Sequence, residues 1–213
     1  GDAYRQLVKN YPAQISYVEV GVDKFIKPKV NKKYYDNITE VAIVGRLIPI
    51  KGISQLLEIL KIVNLTSPLK IHIFGDGVLK EKLIIKSKKL QIEKNIIMHG
   101  FLNKDKLYNA LKNIDCLLMN SKYDNFPNVL IEANAQGIPI WAPNVGGIDL
   151  IIEHKINGFI VNKNLSINEK AASICEFIKF IKDGKFDSLA ISRKCKARFD
   201  WKKTIKDILK LTY

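Results

Sequence analysis

Val41-Ala42-Ile43-Val44-Gly45-Arg46-Leu47-Ile48-Pro49-Ile50-Lys51-Gly52 passes from a short β-branched apolar run into a loop opened by glycine. It leads to Ile53–Val63, where apolar residues recur with helical spacing. A strand, a loop and a helix in that order are the repeating piece of a parallel sheet, because a parallel neighbour is reached only through a crossover. The same unit returns along the chain. Strands are predicted at Ile71–Phe74, Ile96–Met98, Cys116–Met119, Ile138–Trp141 and Phe159–Val161, and helices at Val78–Leu90, Lys104–Leu111, Pro127–Gln136 and Ile148–Ile152. Strands this apolar on both faces belong inside a sheet covered on each side. The expected fold is therefore α/β, a Rossmann-like doubly wound parallel sheet with helices on both faces, whose ligands sit at the carboxyl ends of the strands.

Outward from that core the pattern changes. Residues 1–11 read as the tail of a helix, Ile15–Val20 as a strand and Pro28–Asn37 as a polar, Lys-rich linker. Ile167–Leu211 is a helical C-terminal tail with breaks at Asp183-Gly184 and Asp200-Trp201. Three parts are expected: a segment and linker from an interdomain region (1–37), a ligand-binding core (38–166) and C-terminal helices packed on it (167–213).

The 213 residues, 47% of them hydrophobic, suffice for a globular core. No apolar run reaches the roughly 18 to 20 residues that span a bilayer, and Gly1-Asp2-Ala3-Tyr4 has no signal-peptide shape. A cytoplasmic protein is expected, at most peripheral on the inner face of the membrane. Cys116, Cys175 and Cys195 are odd in number and widely spaced, which disfavours a disulfide framework and a zinc site alike. Half of the net charge of +14 lies in residues 163–213, with thirteen basic against six acidic residues. That basic surface is either a solvated lysine-rich face or an attraction to an anionic membrane surface; nucleic acid is disfavoured, since no basic motif is interleaved with aromatics.

Several segments could carry chemistry. Gly45, Arg46 and Lys51 put two fixed positive charges on the loop where an open sheet binds ligands, beside the unpaired N–H groups of a helix start, an arrangement suited to a diphosphate, or, taken alone, simply a solvated loop. It is neither a Walker loop nor a dinucleotide fingerprint. Gly75-Asp76-Gly77 follows the next strand and reads as backbone geometry. His99-Gly100-Phe101-Leu102 ends the third, and Gly100 would let a flat base approach the backbone; His99 reads as a packed strand residue, while His72 and His154 have no visible partner. In Ser121-Lys122-Tyr123-Asp124-Asn125-Phe126-Pro127-Asn128-Val129-Leu130-Ile131-Glu132, Pro127 marks a helix start, with Asp124 just before it and Glu132 about a turn and a half inside. The two carboxylates could face one pocket and accept hydrogen bonds from sugar hydroxyls, or Asp124 could simply cap the helix. Gly146-Gly147 could present bare N–H groups to a ligand or form a plain turn.

Taken in order, Gly45-Arg46 with Lys51-Gly52, Phe74-Gly75-Asp76-Gly77, His99-Gly100, the block from Ser121 through Glu132-Ala133 to Gly137-Ile138-Pro139, and Gly146-Gly147 resemble the C-terminal, nucleotide-sugar-binding domain of retaining glycosyltransferases of family 4, which have the two-domain GT-B fold. The likeness runs from Gly21-Val22-Asp23 to Phe199-Asp200-Trp201. It implies that Arg46 and Lys51 bind the diphosphate of a nucleoside-diphosphate sugar, and that Glu132, the second acid of an E-x7-E motif, holds the ribose hydroxyls. Asp124 stands where the family usually has Glu, with the role of contacting the donor sugar. Backbone groups at Phe126, Asn128 and Val129 would meet the donor, and Gly100, Phe101 and Leu102 would border the base. The resemblance also implies sugar transfer to an acceptor hydroxyl with retention, in glycan or surface polysaccharide synthesis, without cofactor or metal. A missing N-terminal domain would hold the acceptor, so this chain alone is expected to be a weakly active or inactive part. The competing readings are a nucleotide-sugar-binding module without transfer, a non-hydrolysing epimerase of the same fold, and a basic nucleic-acid-binding sheet. A dehydrogenase is disfavoured by the absence of G-x-G-x-x-G.

Overall fold

The computed structural model describes residues 21, 22, 27, 28 and 38–211. Six strands form one sheet: β1 (Thr39–Val44), β2 (Leu69–Phe74), β3 (Ile96–Gly100), β4 (Cys116–Leu118), β5 (Ile140–Pro143) and β6 (Gly158–Val161). Their order is β3-β2-β1-β4-β5-β6 and every pairing is parallel. Helices α1 (Ile53–Asn64), α2 (Lys80–Lys89), α3 (Lys104–Leu111) and α4 (Asn128–Ala135) make the successive crossovers. A 3-10 turn at Ile148–Leu150 joins β5 to β6, and α5 (Ile167–Lys182), α6 (Ser188–Arg198) and α7 (Trp201–Leu211) complete the described chain. This is the Rossmann-like doubly wound architecture that the alternating pattern predicts.

The two-residue period of the strands sorts the core into two layers. Val41, Ile43, Ile71, Ile73, Cys116, Leu118, Trp141 and Phe159 face α1 and α5, whose Leu56, Leu60, Ile174 and Phe177 complete that layer. Ala42, Phe74, Leu117, Ile140 and Ala142 face the other way, against Leu111 of α3, Leu130 and Ile131 of α4 and Cys195 of α6. Each fully buried large side chain, Trp141 or Phe177 for example, stabilises the fold by roughly 1.5–3 kcal/mol. Trp141 does so without orphaning its ring nitrogen, because its Nε1–H donates to Ser173 Oγ at 3.0 Å. Cys195 is inert packing: burial pushes its thiol up to about 12.

The tail breaks where its sequence says. Gly184, at φ 68°, ends α5 in the left-handed region, and Asp187 caps α6 by accepting from the Leu189 and Ala190 amides. Differences from the sequence reading are local. The helix expected at Ile148–Ile152 is only a 3-10 turn, since five residues between two loops are too few to sustain an α-helix. Helix α2 begins at Lys80, after an exposed Val78. Helix α4 begins at Asn128, with Pro127 in extended geometry before it. The readings for 1–11, 15–20 and 29–37 fall outside the described residues. No helix among the described residues is long and apolar enough to cross a membrane.

Candidate functional site

The chain builds β2 and β3 on one side of β1 and then β4 on the other, so the loops after β1 and β4 part at the sheet's carboxyl edge. Such a switch point is where open α/β sheets hold ligands. Here the two loops are fastened to each other. Gly52 has a φ of 62°, and a Cβ there would lie 2.1 Å from the carbonyl oxygen of Asn120. The Lys122 amide donates to the Ile50 carbonyl at 2.8 Å. Across the seam Lys51 Nζ meets Asp124 Oδ2 at 2.5 Å, with side-chain exposures of 21% and 15%. Asp124 thus serves as the counter-ion of Lys51, and no side chain caps α4. Arg46 stands exposed on the same loop and makes no salt bridge among the described residues.

Beside Arg46 a cavity of about 390 Å³ opens between Val44, Gly45, Phe74, Gly75, Asp76, Phe101, Leu102 and Leu107. Its walls are largely apolar and its rim carries the guanidinium, a combination that suits a flat ring with an anionic extension. Gly45 (φ 147°) lines this space, where an added Cβ would find only Lys51 Cε at 4.0 Å; Gly100 (φ 69°) comes just before the lining residues Phe101 and Leu102, and a Cβ on it would find nothing within 4 Å. Asp76, on the same wall, is committed elsewhere, to the Gly77 amide at 2.8 Å and Lys80 Nζ at 3.1 Å. Those bonds, the backbone one foremost, hold its carboxyl below the usual range.

Glu132 lines a smaller hollow of about 110 Å³ with Gly21, Val22, Lys104, Asn128, Ile131 and Trp201. Burial raises its carboxyl above the usual carboxylate value, and the Lys104 ammonium at 3.9 Å and the Tyr108 hydroxyl act in the opposite direction. The amides of Asn128 and Val129 open α4 without an intramolecular acceptor among the described residues. The side chains of Phe126 and Val129 pack on the core, Phe126 edge-on to Phe199 at 6.2 Å. Asp124 and Glu132 therefore each have a lysine of their own and do not share a wall of either hollow. Gly146-Gly147 packs on the loop before α4: the Gly147 amide donates to the Asp124 carbonyl at 3.3 Å, and a Cβ on Gly146 would meet that same oxygen at 1.6 Å. Among the described residues no group of His, Cys, Asp and Glu is arranged to hold a metal ion.

His72 and His154 correct the sequence reading, since both have partners, while His99 is the packed strand residue expected. His72 Nε2 meets Glu40 Oε2 at 2.5 Å and its Nδ1 meets His99 Nε2 at 2.8 Å, a hydrogen-bonded chain across β1, β2 and β3. Burial, reinforced by His72, lowers the pKa of His99. His99 stacks on Phe74 at 4.3 Å, and Phe74 is a wall of the large cavity. Strand register puts these residues on one face, and no local sequence signal carries register. His154 packs on Phe159 at 4.9 Å and accepts from the Ile160 amide at 3.3 Å.

Sheet order defines an open Rossmann-like α/β domain, and its likeness to solved structures of which it covers 57% and 56% makes it one half of a GT-B fold. Residues 23–187 match the family model described as glycosyl transferases group 1, more than half of the chain, and the chain belongs to that family. It is 32% identical over 126 residues to an uncharacterised glycosyltransferase of Methanocaldococcus jannaschii, covering 59% of this chain and 32% of that protein. It is 25% identical over 160 residues to the poly(ribitol-phosphate) alpha-N-acetylglucosaminyltransferase of Staphylococcus aureus, covering 74% of this chain and 32% of that one. Among solved structures it is similar to a Staphylococcus aureus TarM variant in complex with Fondaparinux, alpha-GlcNAc-glycerol and UDP, at a TM-score of 0.80 and 21% identity, over 99% of this chain and 42% of that one. The chain spans about a third of the length of the curated relatives it matches.

Proposed function

We propose that this chain is the donor-binding domain of a retaining glycosyltransferase of family 4, which transfers a sugar from a nucleoside diphosphate to an acceptor hydroxyl in glycan or surface polysaccharide synthesis. The observation that carries the reading is the seam at the switch point, where Lys51 and Arg46 stand between an apolar cavity and the start of α4. In this reading the base lies in the cavity against Gly100, Phe101 and Leu102. Glu132 accepts hydrogen bonds from the ribose hydroxyls, and the open amides of Asn128 and Val129 meet the donor.

As the glycosidic bond breaks, positive charge develops on the sugar and negative charge on the departing diphosphate. Arg46 and Lys51 stabilise the second by standing where that charge grows. Asp124 holds Lys51 in place before the donor arrives and faces the sugar once the diphosphate takes over the ammonium. The shorter Asp in place of Glu keeps its carboxylate close to the loop that bears Lys51. The scheme needs no metal ion. Acceptor recognition belongs to a second, N-terminal domain, in keeping with the length of the relatives. UDP is the first donor nucleotide to test, since TarM was solved with it.

The test is calorimetric titration of the 213-residue chain with UDP, GDP and ADP, repeated on Lys51→Ala and Glu132→Ala. The expected result is binding of one nucleotide, weakened about ten- to a hundredfold in each variant, the scale of a lost charge-assisted hydrogen bond. Equal, salt-sensitive binding of every polyanion would sink it.

A further inference from the structure

Behind the seam lies a charge that the donor scheme does not use. Lys170, on the first turns of α5, is only 6% exposed and its ammonium has no carboxylate partner among the described residues. Its acceptors are neutral amides: Asn120 Oδ1 at 3.2 Å and Gln55 Oε1 at 3.5 Å. Burial lowers its pKa. A buried ammonium held by amides alone is costly, and an apolar side chain in its place would pack at less expense.

The geometry points to a positioning role: Lys170 sets the Asn120 side chain so that it holds the loop carrying Lys51. An ammonium can only donate, so Asn120 must turn its oxygen to Lys170 and its amide nitrogen away from it. That nitrogen donates to the Gly52 carbonyl at 3.2 Å and to Gln55 Oε1 at 3.0 Å. Gly52 adjoins Lys51, and its missing Cβ lets the Asn120 backbone close against it. Asn120 is 4% exposed and its bond to the Gly52 carbonyl is buried, so water does not compete for that bond. Three segments distant in sequence, the loop after β1, the loop after β4 and the start of α5, are thereby tied at one amide, next to the residue that follows Lys51. A neutral residue without a donor at 170 would leave Asn120 held at its nitrogen alone, which loosens Gly52 and the approach of Lys51 to an anion.

This role rests on the donor-binding reading, and the experiment separates the two. UDP and uridine are titrated into the 213-residue chain and into Lys170→Met, Lys51→Ala and the double variant, with melting temperatures recorded for all. Lys170→Met is expected to bind UDP about tenfold more weakly, the scale seen for groups that orient metal ligands, with uridine binding and melting temperature unchanged or the latter raised. The losses from Lys170→Met and Lys51→Ala should not add, because both act through one contact. Asn120→Asp is the second variant, for the case that Lys170→Met does not fold. It keeps the contact with Lys170 and removes the donor to Gly52, so UDP affinity should again fall. A melting temperature that drops in step with affinity, equal losses for uridine and UDP, or additive losses with Lys51→Ala would overturn the role and leave the donor reading standing. Absence of UDP binding in the unmodified chain would overturn both.

Discussion

The loops after β1 and β2 begin alike, with a glycine at the strand end and a helix to follow, yet they have opposite fates. At Gly75 (φ 139°) an added Cβ would lie 1.9 Å from the Gly45 carbonyl oxygen, and at Gly77 (φ 154°) 2.7 Å from that of Leu47. Leu47 and Asp76 are also joined amide to carbonyl at 2.9 Å. The second loop is a buttress for the first. Gly45 and Gly100, which flank it in space, face open room. A glycine-rich turn between strand and helix is thus not itself a site. What matters is whether other backbone or empty space lies before it, and that is settled by neighbouring strands.

The sharpest way to break the comparison is a methyl group on each side of it. Gly75→Ala should cost on the order of 3 kcal/mol, since it combines a disfavoured φ with a backbone collision. Gly100→Ala should cost only about 1 kcal/mol, for φ alone, and should show its effect as weaker nucleotide binding. Urea unfolding of both variants reads the difference; equal losses would mean that the two environments are not distinct.

A smaller effect is expected from pH. Burial raises the Glu132 carboxyl above its ordinary 4.5, so the group accepts a proton more readily in the folded chain. Its contribution to stability is therefore present below 4.5 and is lost as pH rises through the raised value. Nucleotide binding runs the other way, because only the carboxylate accepts two hydroxyl donors. UDP affinity should fall with acid, beginning above pH 4.5, and Glu132→Gln should flatten that profile while weakening binding at neutral pH. A profile unchanged in the variant would assign the titration to another group. The smallest effect on the fold belongs to Phe101→Ala: Phe101 is 78% exposed on the cavity rim, so stability should stay within about 0.5 kcal/mol while nucleotide affinity drops a few fold.

The placement of the candidate site residues is legible in the sequence, because they sit at strand ends that the apolar runs mark. Gly45, Arg46 and Lys51 follow β1, Gly100, Phe101 and Leu102 close β3 or follow it, and Asp124 and Glu132 bracket the start of α4. What pairs with what was not readable. Asp124 could have been a helix cap, and only the close packing of the loops after β1 and β4 gives it Lys51 instead. Glu40, His72 and His99 were unremarkable singly, and parallel register joins them. Lys170 was one lysine in a basic tail until α5 packed beside α1 and carried it under the seam.

The sequence by itself determined the alternation of strand and helix, the two-faced burial of the sheet and the breaks in the tail, because side-chain periodicity and capping act over a few residues. It also determined that positive charge would stand at the end of β1. Only the tertiary structure decided which charges are neutralised, which glycines are filled and which lysine is buried, because these depend on strand order and on contacts between residues as many as 115 positions apart.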